Sequence, residues 1–385
     1  MSLFAFSDTE CLDLATRHGT PCFVYDGATA ARQFTTLRAA LPARVRLAYA
    51  VKANPHPDLL LCFSRLGASF DCASIGELER VALMGAAGDR VFFAGPGKSD
   101  AELRRSLALG VRVQAEGWED LERLDRLAGT DVAVNLRVHP LAGAEEESPI
   151  LGGVGPSAFG VDEEQVPEIL ERARSLRHVR IRGLHVFAAS NQRDAAKLLA
   201  THAMVFEMAC RIRHEHGVEM EQIDLGGGLG VPYSSDHPSL DVSALGRGLA
   251  DLLANHEWFT GEAILEPGRF LVAGCGVYLV RVVRVKESRG RRFAILEGGI
   301  NHLLRPLLTG EAFPVKVVGR SENGSRFVLA GPLCTSLDRL GEADLPSDLS
   351  AGDLLAFGMT GAYGRAEAMS DFLSHPPAPE IWLDA

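Results

Sequence analysis

"AYAVKANPHPDLL", Ala48 to Leu60, places a lysine at the end of a short apolar run, where buried chain ordinarily excludes charge. Val45, Leu47, Tyr49 and Val51 alternate as a strand does, and the Asn-Pro and His-Pro pairs that follow stop it. Lys52 therefore sits at a strand's C-terminal tip, either as a snorkelling surface residue or as a positioned amine. One lysine taken alone favours the first. The other strand ends have to decide.

Outward from this stretch the same rhythm repeats: a short apolar run, a polar tip, then an amphipathic segment. The runs are Val45–Val51, Ser69–Cys72, Val91–Ala94, Val111–Gln114, Val132–Val138, Ile181–Val186, Ile223–Leu225 and Ala263–Leu265. Segments such as "AELRRSLALG", "WEDLERLDRLAG" and "EEQVPEILERARSL" read as helices between them. Eight strands alternating with helices predict an α/β fold, a TIM-like (β/α)8 barrel, with a doubly wound open sheet as the alternative. The tips are Lys52, Asp71, the "AGPGKS" turn, Glu116, Arg137, His185–Ser190, Gly226–Gly228, then Glu266 and Arg269. In a barrel these ends converge on one mouth, where active sites are built. Each tip alone is an ordinary loop start; together they favour chemistry.

After Glu266 the texture changes. "RFLVAGCGVYLVRVVRVKESRGRRFAILEGG" alternates like strands joined by a charged, Gly-containing turn, and strand-like runs continue through "FPVKVVG", "RFVLAG" and "LLAFG". The expected division is a barrel over residues 26–269 and a β-rich domain made of residues 1–25 and 270–385, joined through Cys22–Tyr25. The segment His139–Gly160, rich in Gly, Pro and acid, follows the fifth strand and reads either as a lid over the mouth or as an insertion without function.

Composition bounds the function. Of 385 residues 46% are apolar and 23% charged, which suits a soluble globular protein with ample core. A net charge of −11 without a basic stripe argues against nucleic acid as a partner. No export signal or membrane span is read, and seven cysteines without C-x-x-C suit reduced thiols, so the expected location is the cytoplasm. His214 and His216 stand two apart on an expected helix and point away from each other, so no metal is expected there or elsewhere.

The glycines narrow the chemistry. "DLGGGLGVPY" fails the dinucleotide pattern because its last glycine position is Val231, and "GPGKS" fails as a phosphate loop because Phe92 replaces the leading glycine. A common barrel phosphate site lies after strands seven and eight, where Gly226–Gly228 and the "EPGR" of Arg269 stand. A lysine amine, a phosphate cradle and an acid at Glu266 together suggest pyridoxal phosphate, which needs a Schiff-base lysine, a phosphate anchor and a group at its pyridine nitrogen.

Here the sequence resembles the fold-type III pyridoxal-phosphate decarboxylases of the ornithine/diaminopimelate decarboxylase group. "AYAVKANP", "FDCASIGEL", "FAGPGKSDAEL", "NLRVHP", "DLGGGLGVPY", "EPGRFLV", "GPLCTSLDRL" and "GAYG" occur in the family's order over nearly the whole chain. The resemblance implies that Lys52 carries the cofactor and that Glu266 pairs with the pyridine nitrogen. It also implies that Gly226, Gly227, Gly228, Arg269 and Tyr363 hold the phosphate, with Ser190 nearby. Asp71, Arg137, His185, Phe187 and Gly268 complete the expected cofactor shell, and Arg305 and Thr335 the substrate shell. It implies a homodimer with shared active sites, Cys334 of one subunit reaching into the other as proton donor; otherwise Cys334 reads as a buried structural thiol.

Departures set the expected specificity. Phe187 stands where the family often stacks a histidine, and Thr309 where a tyrosine usually follows "RP". Thr335 replaces the acid that holds a substrate's distal ammonium. The chain resembles a subgroup acting on carrier-protein-tethered glutamyl groups or found with siderophore and exosortase clusters. The expectation is decarboxylation of such an intermediate, with ornithine, lysine and diaminopimelate bound poorly. A free amino-acid decarboxylase of the diaminopimelate or ornithine type is the alternative. A racemase of this fold is disfavoured because racemases place arginine at the pyridine nitrogen, and a silent regulatory relative because Lys52, Glu266, Arg269 and Cys334 are all retained.

Overall fold

In this computed structural model, residues 2–141, 155–320 and 324–384 are described. Most of the segment expected as a lid, residues 142–154, lies outside them. The chain divides into two units: Phe34–Gly230 with Leu240–Gly268, and Met1–Gln33 with Val231–Ser239 and Arg269–Ala385.

The first unit is a closed parallel barrel. Its strands are β2 (Val45–Ala50), β3 (Ser69–Cys72), β4 (Val91–Phe93), β5 (Arg112–Ala115), β6 (Val132–His139), β8 (Val179–His185), β9 (Gln222–Asp224) and β10 (Glu262–Leu265). Each pairs with the next in that order, and β10 closes on β2 with Leu265 opposite Leu47. Closure removes the open-sheet alternative. A two-residue β7 (Val161–Asp162) extends β6. All eight expected runs are strands, with ends within two residues, because fully buried parallel strands read as short β-branched and aromatic runs. Ala48, Phe92 and Ile264, from three of them, form a fully buried apolar cluster.

Caps set where the intervening helices begin. Ser99 and Glu102 form a reciprocal capping box ahead of Asp100–Leu109, and Ser74 caps Ile75–Leu83. Glu116 follows β5 directly, whereas Arg137 lies two residues before the end of β6.

The second unit is built on a sheet ordered β13–β16–β11–β12–β14–β15, from β11 (Gly276–Ser288), β12 (Arg291–Leu296), β13 (Val315–Val317), β14 (Ser325–Ala330), β15 (Arg339–Leu345) and β16 (Leu354–Phe357). The N-terminal β1 (Cys22–Asp26) runs antiparallel to β11 and parallel to the last strand, β17 (Glu380–Leu383). Arg289 and Gly290, with φ of 50° and 75°, make the two-residue turn between β11 and β12. Leu14, Cys22, Val24, Val277, Leu279 and Leu354 form the core against the first helix, Asp8–His18. One expectation fails here: "RFLVAGC" is a helical turn, Arg269–Val272 followed by Ala273–Cys275, and not a strand. Every residue of it is buried, so its apolar run carries no alternation to separate strand from helix.

Candidate active site

Lys52 stands in the tight turn Val51–Ala53 directly after β2. Its Nζ lies 3.8 Å from Asp71 Oδ2 and 5.0 Å from the centre of the Phe187 ring. Asp71 is the penultimate residue of β3 and is buried. Burial and then the Glu266 charge push its carboxyl up to about 8, against the pull of Lys52. Gly268 supports the same turn from behind: a Cβ there would come within 3.1 Å of both Ala53 Cβ and Ala50 Cβ.

On the strands that follow round the barrel from β2, Glu266 follows β10, Asp224 closes β9 and His185 closes β8. One donor atom of each lies within 4.8 Å of the others, and all three are buried. His185 Nε2 is 3.4 Å from Glu266 Oε2, yet neither ring nitrogen makes a well-aligned hydrogen bond, and Glu266 Oε1 is buried without a partner. Two full negative charges at that spacing repel by at least about 3 kcal/mol even at an effective dielectric constant of 20. They do not titrate alike. Burial raises Glu266, but the neighbouring His185 and then Lys52 hold it below the usual range; burial and the Glu266 charge drive Asp224 well above it.

Three glycines bring the turn after β9 against this cluster. A Cβ at Gly226 would lie 2.6 Å from Val186 O, at Gly227 2.7 Å from Glu266 O, and at Gly228 2.7 Å from Ala189 O. Gly226 and Gly228 also have φ of 68° and 93°. Close backbone approach thus explains all three, whatever they hold. Ser190, half-buried, ends the mostly buried segment beside them. Arg137 is engaged elsewhere in this unit: its guanidinium pairs with Glu116 at 2.7 Å, and Glu116 also accepts the Gly95 and Gly160 N–H groups.

In the second unit, the Arg269 guanidinium is buried, donates to the Tyr233 hydroxyl at 2.7 Å, and lies 4.9 Å from the Tyr363 ring centre. Arg305 lies 4.3 Å from the same ring and pairs with Glu367 at 3.1 Å; its Nε is buried without a partner. Cys334 is exposed, which removes the reading of a buried structural thiol. The loop carrying it and Thr335 is pinned by Asp338, whose carboxylate accepts the Leu333 and Ile300 N–H groups at 2.7 and 2.8 Å.

Residues 28–273 match the family model "Pyridoxal-dependent decarboxylase, pyridoxal binding domain". The chain belongs to this family. It is 32% identical to a diaminopimelate decarboxylase of Vibrio cholerae, over 97% of this chain and 89% of that one. It is 30% identical to the L-glutamyl-[BtrI acyl-carrier protein] decarboxylase of Niallia circulans, over 97% and 90%. The diaminopimelate decarboxylase of Helicobacter pylori, solved with L-lysine, superposes with a TM-score of 0.88 at 29% identity, covering 97% of this chain and 93% of that one.

The decarboxylase is a pyridoxal-phosphate-dependent carboxy-lyase acting on an amino acid. Its barrel residues fit that cofactor. An unpartnered, charged Glu266 oxygen suits a pyridine N–H, and Phe187 sets a flat face beside the Lys52 amine. The same three donors would also suit a divalent metal in kind; both Asp224 oxygens accept N–H groups, from Gln114 Nε2 at 2.8 Å and Gly226 at 3.0 Å. Sequence reading missed Asp224, Gln114, Tyr233, Glu367 and Asp338. The first two are polar residues within apolar stretches of the sequence, and that oddity was the available signal. No helix among the described residues is long and apolar enough to cross a membrane.

Proposed function

We propose that the decarboxylase acts on a free amino acid carrying a second carboxyl group, the diaminopimelate class, with Lys52 as the amine that carries the cofactor. The observation that bears most on the substrate is Arg305, a buried guanidinium with Nε unpartnered, which suits a second carboxylate. The predominance of diaminopimelate decarboxylases among the relatives supports the same reading over the tethered intermediate. When bound, pyridoxal phosphate supplies the sink for the electron pair released as the Cα–carboxylate bond breaks.

The chain's own groups do the rest. Glu266 keeps a proton on the pyridine nitrogen by holding a negative charge against it. Phe187 would offer its ring face to the cofactor beside the Lys52 amine, 5.0 Å from the ring centre. Gly226–Gly228, Arg269 and Tyr363 are the proposed phosphate contacts. Cys334 delivers the proton that replaces carbon dioxide on Cα, and its exposure in a single subunit suits delivery across a homodimer. Borohydride reduction and peptide mapping should label Lys52; a label on another lysine would overturn its role. Mixing Lys52→Ala with Cys334→Ala protein should restore partial activity through hybrid dimers, and no recovery after confirmed subunit exchange refutes a shared site.

A second reading keeps a carrier-tethered glutamyl substrate. Thr335 favours it, because a lone distal ammonium buried beside a neutral residue is costly, and the Niallia circulans relative carries that activity in its name. The arginines at the β11–β12 turn lend it little: Arg291 pairs with Glu342, and Arg292 lies over Phe327 and donates to Ser347 O. Carbon dioxide release from diaminopimelate, ornithine, lysine, free glutamate and carrier-bound glutamyl groups separates the two. A kcat/KM near 10⁴ M⁻¹s⁻¹, roughly the low end for dedicated enzymes, on diaminopimelate alone is expected; that value on the carrier-bound group alone would overturn the proposal.

A further inference from the structure

The charges around Glu266 do not balance if every acid is ionised. Asp71, Asp224 and Glu266 bring three buried carboxyl groups together, with Glu77 acting on Asp71 as a further acid; the facing basic groups are the Lys52 amine, the His185 imidazole and, at Asp71 only, the Arg137 guanidinium, which is already paired with Glu116. Lys52 is placed on Asp71, and His185 on Glu266. Asp224 is fully buried and receives only neutral donors, the Gln114 amide and the Gly226 N–H. Neither compensates a full charge.

We infer that Asp224 retains its proton and donates it in a hydrogen bond to Glu266, making Glu266 the ionised member of that pair. Asp224 is then a positioning residue. Its O–H fixes one Glu266 oxygen and leaves Oε1, which has no partner, turned to whatever N–H the site receives. The opposed shifts of the two acids, one raised and one lowered, agree with this division of labour. So does the surrounding shell, in which Gln222 and Asn135 bond to each other and supply no cation.

The inference deepens the role given to Glu266 and rests on it for its catalytic consequence, but the proton's position can be read without cofactor. Infrared difference spectra of the apoprotein, wild type against Asp224→Asn, should show loss of a protonated carboxyl C=O band that persists at pH 8. Only carboxylate bands in that difference would overturn the inference. Asparagine keeps the shape of the protonated acid: its NH₂ can donate to Glu266 and, with the Gln114 amide turned over, to Gln114 Oε1, which has no partner. In the holoenzyme Asp224→Asn should therefore lose less than about tenfold in kcat/KM and Asp224→Ala more than about a hundredfold. An asparagine variant as damaged as alanine refutes it. Should Asp224→Ala not fold, the infrared band and the asparagine variant decide together. If no amino acid is decarboxylated at all, the activity reading fails while the infrared result still stands on its own.

Discussion

Two clusters of charge are buried at the strand ends of the same barrel, and they are finished to different degrees. After β4, Lys98 is almost wholly buried, pairs with Asp120 at 2.8 Å and donates to Gly95 O at 2.6 Å. Asp120 in turn accepts the Glu116 N–H, while Glu116 is held ionised, against burial, by Arg137. Across the barrel, His185, Asp224 and Glu266 leave three polar atoms without hydrogen bonds. A closed network holds loops in place; an open one, equally buried, is arranged for something that arrives. The "GPGKS" stretch therefore resembles a phosphate loop in letters only: its lysine is consumed by the scaffold.

The open cluster should show the largest effect, and in rate. Glu266→Gln removes the charge but keeps the shape, so kcat should fall by about a thousandfold, roughly 4 kcal/mol, with far less change in cofactor affinity. Turnover near wild type would mean that the cluster has no such role. The closed cluster should show its effect in stability. Lys98→Met keeps the stem and strands Asp120 as a buried charge, which should cost at least about 3 kcal/mol in urea unfolding. A cost below about 1 kcal/mol would erase the contrast between the clusters.

The two clusters also differ in how far they could be read from sequence. Barrel strands were legible because each is a short run of Val, Ile, Phe and Leu ending in a polar residue, and Lys52, His185 and Glu266 were legible as those ends. Asp224 was not singled out, because the run Ile223–Leu225 hid it as a mid-strand residue and its partner Gln114 comes from β5, which is not a neighbour of β9 in the sheet and reaches it only once the barrel is closed. In the other unit β15 went unread: in "RLGEADL" only Leu340 and Leu345 are buried, and acidic residues and a glycine mask its pattern. "RFLVAGC" misled for the opposite reason, since burial on all sides leaves no period to read.

A third buried group tests whether an unpartnered atom always means function. His202, on the helix Ala195–His216, is buried with Nδ1 unpartnered, and burial alone lowers its pKa to about 4. Among the described residues no charged group contributes to that shift, so it belongs to the scaffold. Because its folded pKa is below the unfolded 6.5, the unfolded chain binds the proton first. Stability should be full above pH 6.5 and fall by up to about 3 kcal/mol as pH drops towards 4. His202→Gln should flatten that slope and leave the pH profile of kcat unmoved; a shifted kcat profile would place His202 with the open cluster.

The smallest effect asked of the contrast is a coupling. If Lys98 and Asp120 act as one closed pair, the double variant Lys98→Met/Asp120→Leu should be less damaged than the two single variants added together. Each single change leaves a buried charge facing nothing, whereas the double change leaves apolar side chains of similar size. Recovery should still be incomplete. Gly95 O loses the lysine and the Glu116 N–H loses the aspartate, each worth about 1 kcal/mol. A coupling of about 2 kcal/mol is therefore expected. A coupling near zero would show that the two charges are stabilised separately, Lys98 by Gly95 O and Asp120 by its backbone donor and by Arg123 at 3.9 Å. The loop after β4 would then be held by individual bonds, and a closed network would no longer explain why this buried charge serves the scaffold while the one around Glu266 serves the reaction.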